Sequence, residues 1–168
     1  MMQIARIQEA DLPALAALYQ QMQPTGFSIE SMREALPTVG EDSNHIVLGA
    51  KVDGKLVGTV LAVVCQMLYG HCKRFMVVED VVVDGQHRRM GVGAALMREL
   101  ETHAIRTECS YIMLTTDSDR LGAQRFYGAL GYQSSGYVAF KKKLHADTEQ
   151  EDGRGRHWHE NNTDIVLR

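Results

Sequence analysis

The stretch Arg88-Arg89-Met90-Gly91-Val92-Gly93 sets two adjacent arginines and two glycines between a Val-rich run and an amphipathic one. A helix start offers unpaired N–H groups and the positive end of the helix dipole. Glycine lets a ligand's oxygens approach the backbone closely. With two guanidinium charges added, and small Ala94 and Ala95 following, the combination makes an anion site suited to a diphosphate. A loop that merely packs helix on strand is the plainer alternative. Two known phosphate loops are excluded. A Walker loop needs a Lys-Ser/Thr that is missing, and the dinucleotide fingerprint needs a third glycine where Leu96 stands.

Glu79 and Asp80 are carboxylates inside an otherwise apolar run, Val77–Val83. Burial there would raise a carboxyl pKa toward neutrality and favour base chemistry, with Glu79 the leading candidate and Asp80 second. Neighbouring strand residues face opposite ways, so one of the two at most should reach a substrate unless a bulge intervenes. Structural hydrogen bonding is the competing role, above all for Asp80. Cys65, Cys72 and Cys109 have no adjacent His, which disfavours a thiol nucleophile. Lys141-Lys142-Lys143 point to both faces of any strand and read as a solvated edge, as His87 reads as a loop histidine.

The elements that must carry these residues alternate. Gln3–Ile7 reads as a first strand. Asp11 is placed to cap a helix with Pro13 in its first turn and Leu12, Leu15, Tyr19 and Met22 on one face. Pro24 and Gly26 end it, and Ser28 can cap a second helix through Leu36 that Pro37 stops. His45–Val52 and Leu56–Met67 flank Asp53-Gly54-Lys55, a hairpin signal. Arg74–Val83 reads as a central strand and Gly91–Glu108 as a helix with Val92, Leu96, Leu100 and Ala104 on its core stripe. Tyr111–Thr116 is a strand, and Gly122–Leu130 is a helix with Ala123, Phe126, Tyr127 and Leu130 on one side and Gly131 beyond its end. Tyr137–Leu144 is read as the last strand. The order predicts an α/β domain with a mixed sheet.

Residues 1–144 carry no net charge, and the chain's net −3 comes from residues 145–168. That expectation divides the chain into a working domain, 1–144, and a polar acidic tail, 145–168, which holds the only Trp, Trp158. His157-Trp158-His159 lacks a third ligand, so no metal site is expected. The acidic balance argues against nucleic-acid binding by bulk charge. No apolar run reaches membrane-spanning length and no signal-peptide pattern opens the chain, so no membrane partner is expected. An odd set of three cysteines suits a reducing, cytoplasmic setting.

Arg88-x-x-Gly91-x-Gly93-Ala94 after a Val-rich strand resembles the Gln/Arg-x-x-Gly-x-Gly/Ala motif of the GNAT superfamily of acyl-CoA-dependent N-acetyltransferases. Val78-Glu79-Asp80-Val81-Val82-Val83 is similar to its fourth strand. Ala123-Gln124-Arg125-Phe126-Tyr127 with Leu130-Gly131-Tyr132 is similar to its Ala-x-x-Phe-Tyr-x-x-x-Gly-Phe/Tyr segment, and Arg6–Leu12 to its first strand and turn. The resemblance covers residues 4 to 144. Two positions depart from it: Arg89 stands where the family most often has Gly, and Arg120 where it often has Asn.

The resemblance implies a mixed, mostly antiparallel central sheet with helices on both faces. It also implies direct acetyl transfer from acetyl-CoA, as cosubstrate, to a primary amine of a small molecule. Tyr127 would protonate the departing thiolate and Glu79 would take the amine proton. Backbone groups of Val81, Val82 and Val83 would pair with pantetheine and supply an oxyanion donor. Arg88, Arg89, Met90, Gly91, Val92, Gly93 and Ala94 would hold the pyrophosphate, with Arg120 a further contact. Tyr127 has a competing role as a core tyrosine. Homodimers are common in such folds, and Ile165–Leu167 can dock on a neighbour. A protein or peptide N-acetyltransferase and a CoA-binding regulatory module without turnover are the alternatives.

Overall fold

The structure, a computed structural model, describes residues 1–23, 28–42 and 44–142. Pro24, Gly26, the tail from 145 on with His157-Trp158-His159, and Ile165–Leu167 lie outside the described residues. The chain divides into two units, Met1–Ser135 and Gly136–Arg168.

In the first unit the elements are β1 (Met2–Arg6), α1 (Leu12–Gln20), α2 (Ile29–Glu41), β2 (His45–Val52), β3 (Lys55–Gln66), β4 (Arg74–Val83), α3 (Val92–Arg106), β5 (Cys109–Leu114) and α4 (Leu121–Ala129). The strands form one sheet in the order β1-β2-β3-β4-β5. Pairing is antiparallel until β5, which runs parallel to β4 because α3 carries the chain back.

Alternation along β2 shows how both faces are filled. Ile46 and Leu48 point into a core with Val60, Ala62, Met76 and Val78, closed by Leu96, Met97 and Leu100 of α3. Val47 points the other way, to Leu12, Leu15 and Tyr19 of α1 and Met32 and Leu36 of α2. Helices therefore cover both faces, as expected. The β2–β3 hairpin turns on Asp53 (φ 49°) and Gly54 (φ 81°), the paired left-handed residues of a type I′ turn. Among the described residues no helix is long and apolar enough to cross a membrane.

Three local expectations are corrected. Asp11 precedes α1 but does not cap it. One carboxylate oxygen accepts from the Gln8 N–H at 3.0 Å and the other meets Lys51 Nζ at 2.7 Å. Ser28 does cap α2, accepting from the Ser31 N–H, yet the helix passes Pro37 and ends at Glu41. Pro37 removes one ladder hydrogen bond, and Arg33 and Pro37 are both exposed, so water can serve the freed carbonyl. In the second unit residues 137–142 form no strand. Tyr137-Val138-Ala139-Phe140 is a continuous apolar run followed by lysines, and such a run specifies neither face nor partner.

Candidate active site

β4 breaks its own alternation at the expected carboxylates. Thr59 of β3 pairs with Val82 and Leu61 pairs with Glu79, so Val60 faces both Asp80 and Val81. Asp80 takes φ 51°, a left-handed conformation that absorbs the extra residue of a bulge. Glu79 comes out exposed, which corrects the expectation that burial tunes it. Asp80 is partly buried, and its charge acts on Tyr19 of α1.

Tyr19 was legible only as one residue of an apolar helix face. Its hydroxyl shares a hydrogen bond with Thr59. Burial, helped by the Asp80 charge, pushes its pKa up to about 12.

On its other edge β4 parts from β5. The parallel pairing ends at Val78↔Leu114, where β5 stops, while β4 runs on to Val83. Main-chain groups of β4 beyond Val78 therefore have no ladder partner on that side among the described residues. Val81 and Val83 are partly buried there, and Val82 is buried. Thr116, just past the end of β5, has a buried hydroxyl with no hydrogen-bond partner among the described residues. Unpaired buried polar groups are costly, so the orphaned Thr116 hydroxyl is a candidate contact for a polar ligand.

The loop after β4 shows what each glycine does. Gly91 precedes α3 at φ 82°, with nothing within 4 Å of a built-on Cβ. A Cβ on Gly93 would lie 3.1 Å from Phe126 Cζ and 3.5 Å from Val83 Cγ2. Gly93 thus packs α3 against α4 and β4, whereas Gly91 borders open space. No side chain caps α3. The N–H groups of Val92, Gly93 and Ala94 have no acceptor among the described residues. Val92 is buried and Ala94 partly buried, while Arg88, Arg89 and Met90 are exposed. Arg88 Nε donates to the Val83 carbonyl at 3.3 Å. Arg89 adopts φ 62°, which explains why glycine suits that position.

Tyr127 lies in α4, and Arg120 is the residue just before it. The helix ends in a Schellman motif, with Gly131 (φ 93°) donating to the Gly128 carbonyl and Tyr132 donating to that of Tyr127. The Tyr132 hydroxyl donates to Glu101 of α3. The Tyr127 ring packs against Phe126 at 5.1 Å and Tyr132 at 6.1 Å between centroids. Burial raises the Tyr127 pKa, Arg120 opposes the shift and the Glu79 charge adds to it. The charges of Arg120 and Glu79 thus both act on Tyr127.

Sequence reasoning missed Gln21, Asp84 and Thr116 as well as the Tyr19 hydroxyl. Cys65, Cys72 and Cys109 are free thiols. Among the described residues no group of three or more His, Cys, Asp or Glu side chains is placed to hold a metal ion.

Comparison with known proteins agrees with this architecture. A curated relative, glucosamine 6-phosphate N-acetyltransferase 1 of Oryza sativa subsp. japonica, is 32% identical over 101 residues, 59% of this chain. The match spans only 58% of that relative's length. Among solved structures, a transcriptional regulator from Bacillus halodurans C-125 superposes with TM-score 0.79 at 22% identity, covering 86% of this chain and 100% of the other. Glucosamine-6-phosphate N-acetyltransferase from Arabidopsis thaliana does so with TM-score 0.77 at 19% identity, covering 86% and 99%. At such identities the structural likeness speaks for the fold. The acetyltransferase (GNAT) family matches residues 12–132, a span holding β2 to β5, all four helices and every residue of the candidate site, and the chain belongs to that family.

Proposed function

We propose that this chain is an acetyl-CoA-dependent N-acetyltransferase acting on a primary amine of a small molecule. The observation that carries the reading is the gap between β4 and β5. It opens beside a helix start with three unanswered N–H groups and two arginines. A molecule with an anionic diphosphate and an arm of amides fits both halves. The first turn of α3 with Arg88, Arg89, Met90 and Gly91 suits the diphosphate. The β4 edge at Val81, Val82 and Val83, where Arg88 already engages the Val83 carbonyl, and the Thr116 hydroxyl suit the amides. Val92, Gly93 and Ala94 serve through their N–H groups, and Arg120 adds positive charge beside Tyr127.

The chemistry follows from three demands. An alkylamine with pKa near 10 is mostly protonated at neutral pH, so Glu79, exposed at the bulge, takes its proton. The amine nitrogen then bonds to the thioester carbonyl carbon, and a β4 N–H stabilises the oxyanion. As the C–S bond breaks, Tyr127 gives its proton to the leaving sulfur, and solvent restores the phenol. Burial of Tyr127 supports the donor role by keeping it protonated. Asp80, facing Tyr19, holds the bulge rather than the substrate. Free thiols at Cys65, Cys72 and Cys109 suit a reducing, cytoplasmic setting. A small amine acceptor is favoured because the rice relative is named for glucosamine 6-phosphate.

Thermal shift with CoA, followed by thiol release from acetyl-CoA against amino sugars, simple amines and peptides, tests the reading. A CoA-dependent shift and turnover on a small amine are expected. Binding without turnover on any acceptor would favour a regulatory module, turnover on peptides alone would favour a protein substrate, and no shift would sink the reading.

A further inference from the structure

The loop that receives the diphosphate is clamped from a distant part of the chain. Gln21 directly follows α1, and its carboxamide makes two hydrogen bonds at once. Its Nε2 donates to Asp84 Oδ1 at 2.9 Å, and its Oε1 accepts from the Gly85 N–H at 3.0 Å. The second carboxylate oxygen of Asp84 lies 2.6 Å from His87 Nδ1. The Asp84 N–H in turn donates to the Val57 carbonyl, and the His87 N–H to the Asp84 carbonyl. Asp84 is thus the hub at which β4 becomes the loop, held by β3, by the loop itself and by the end of α1. Hydrogen bonds from His87 and Gln21 hold its carboxyl below the usual range, consistent with a carboxylate acceptor on both sides.

Only a few residues separate this hub from the two strained or flexible points of the loop, Arg89 at φ 62° and Gly91 at φ 82°. The direction of the arginines and of the α3 N–H groups follows from where that short segment begins. We propose that Gln21 is a positioning residue for the coenzyme A diphosphate. Through Asp84 it fixes the start of the Arg88–Gly91 segment and couples it to the end of α1. This rests on the acetyltransferase reading above. The role needs a carboxamide, because one end must donate to a carboxylate while the other accepts from a backbone N–H.

That requirement gives an isosteric test. Gln21→Glu keeps the acceptor for Gly85 but sets a carboxylate against Asp84. Asp84→Asn in the Gln21→Glu background restores a donor opposite Glu, leaves an amide oxygen to accept from His87, and returns the net charge to that of wild type. The dissociation constant for CoA is measured by calorimetry, kcat at saturating acetyl-CoA by thiol release, and the ligand-free thermal midpoint as a folding control. Gln21→Glu is expected to weaken CoA binding about five- to tenfold, the loss of one to two hydrogen bonds, with kcat within about twofold of wild type. The double variant is expected to recover binding to within about twofold of wild type. Gln21→Ala, which adds no charge at an exposed site, is expected to weaken CoA about two- to fivefold. Unchanged CoA affinity in Gln21→Glu, or a double variant that binds no better than that single variant, overturns the clamp and leaves the acetyltransferase reading standing. A kcat that falls in step with the thermal midpoint overturns it too, since that is a general structural defect. Wild-type protein that does not bind CoA overturns both.

Discussion

The negative charge of Glu79 on β4 reaches the phenol of Tyr127 on α4 and helps to keep it protonated. Burial is the larger cause of the raised pKa, and Arg120 works against it. A base that, once charged, strengthens its partner's hold on a proton is a favourable pairing for transfer in which one group accepts and the other donates. Tyr127→Phe is expected to lower kcat by about 10²- to 10⁴-fold, the usual scale of general acid–base catalysis. The CoA dissociation constant should stay within about twofold. Turnover equal to wild type in a thiol-release assay would remove Tyr127 from the chemistry and return it to the core.

Removing the Glu79 carboxylate should cost most where the acceptor most needs deprotonation. Glu79→Gln is expected to reduce kcat/KM about 10²-fold for an amine of pKa near 10, and clearly less for one near 7. Asp80→Asn serves as the comparison, because asparagine tolerates the left-handed backbone at φ 51° and keeps the bulge. A loss under tenfold is expected there. Equal losses for both amines in Glu79→Gln would argue that the residue only binds substrate.

Arg89 sets charge against conformation. A non-glycine residue at φ 62° costs about 1 kcal/mol, part of which Arg89→Gly should recover against the extra freedom of glycine in the unfolded chain. The expected result is a thermal midpoint up by about 1 to 3 °C with CoA affinity down about three- to tenfold. Differential scanning fluorimetry and calorimetry on one preparation read both. A variant that loses stability would show that the arginine side chain has a structural role in the ligand-free protein.

Tyr19 makes stability depend on alkaline pH in a definite direction. Its hydroxyl keeps its proton in the folded protein to about pH 12, whereas an unfolded tyrosine loses it near 10. The folded state then holds more protons across that window, so the stability contribution is fully present below pH 10 and is lost as pH rises toward 12. Urea unfolding of wild type and Tyr19→Phe should give curves that converge as pH rises above 10 and cross before about pH 12, because a shift of about two units outweighs one hydrogen bond. At neutral pH the variant should be about 1 kcal/mol less stable, from the lost hydrogen bond with Thr59. A constant difference at all pH values would show that the hydroxyl is not desolvated.

Local patterns made most of the architecture legible. β4 is a Val-rich run bounded by charge, and α3 repeats its apolar residues at helical spacing, so both were foreseen with the loop between them. The bulge entered only as the exception that strand alternation allows, since a left-handed Asp80 leaves no mark in composition. Tyr19 was hidden because a tyrosine in an apolar stripe reads as packing until its hydroxyl is placed against Thr59. Gln21 and Asp84 stand 63 residues apart, and a contact at that separation is a property of the folded sheet alone. Pro37 does not stop α2, and its place on an exposed stretch of the helix, with Arg33 also exposed, lowers the cost of the carbonyl that it orphans.

The parting of β4 from β5 has a consequence for divergence. Amides and carbonyls along Val81–Val83 are common to all residues except proline, which lacks the N–H. On the proposed reading, a pocket wall written in main chain would stay legible to its ligand while the letters above it change. Substitutions that alter which molecule is accepted could then accumulate around the exposed Glu79 without unmaking that wall.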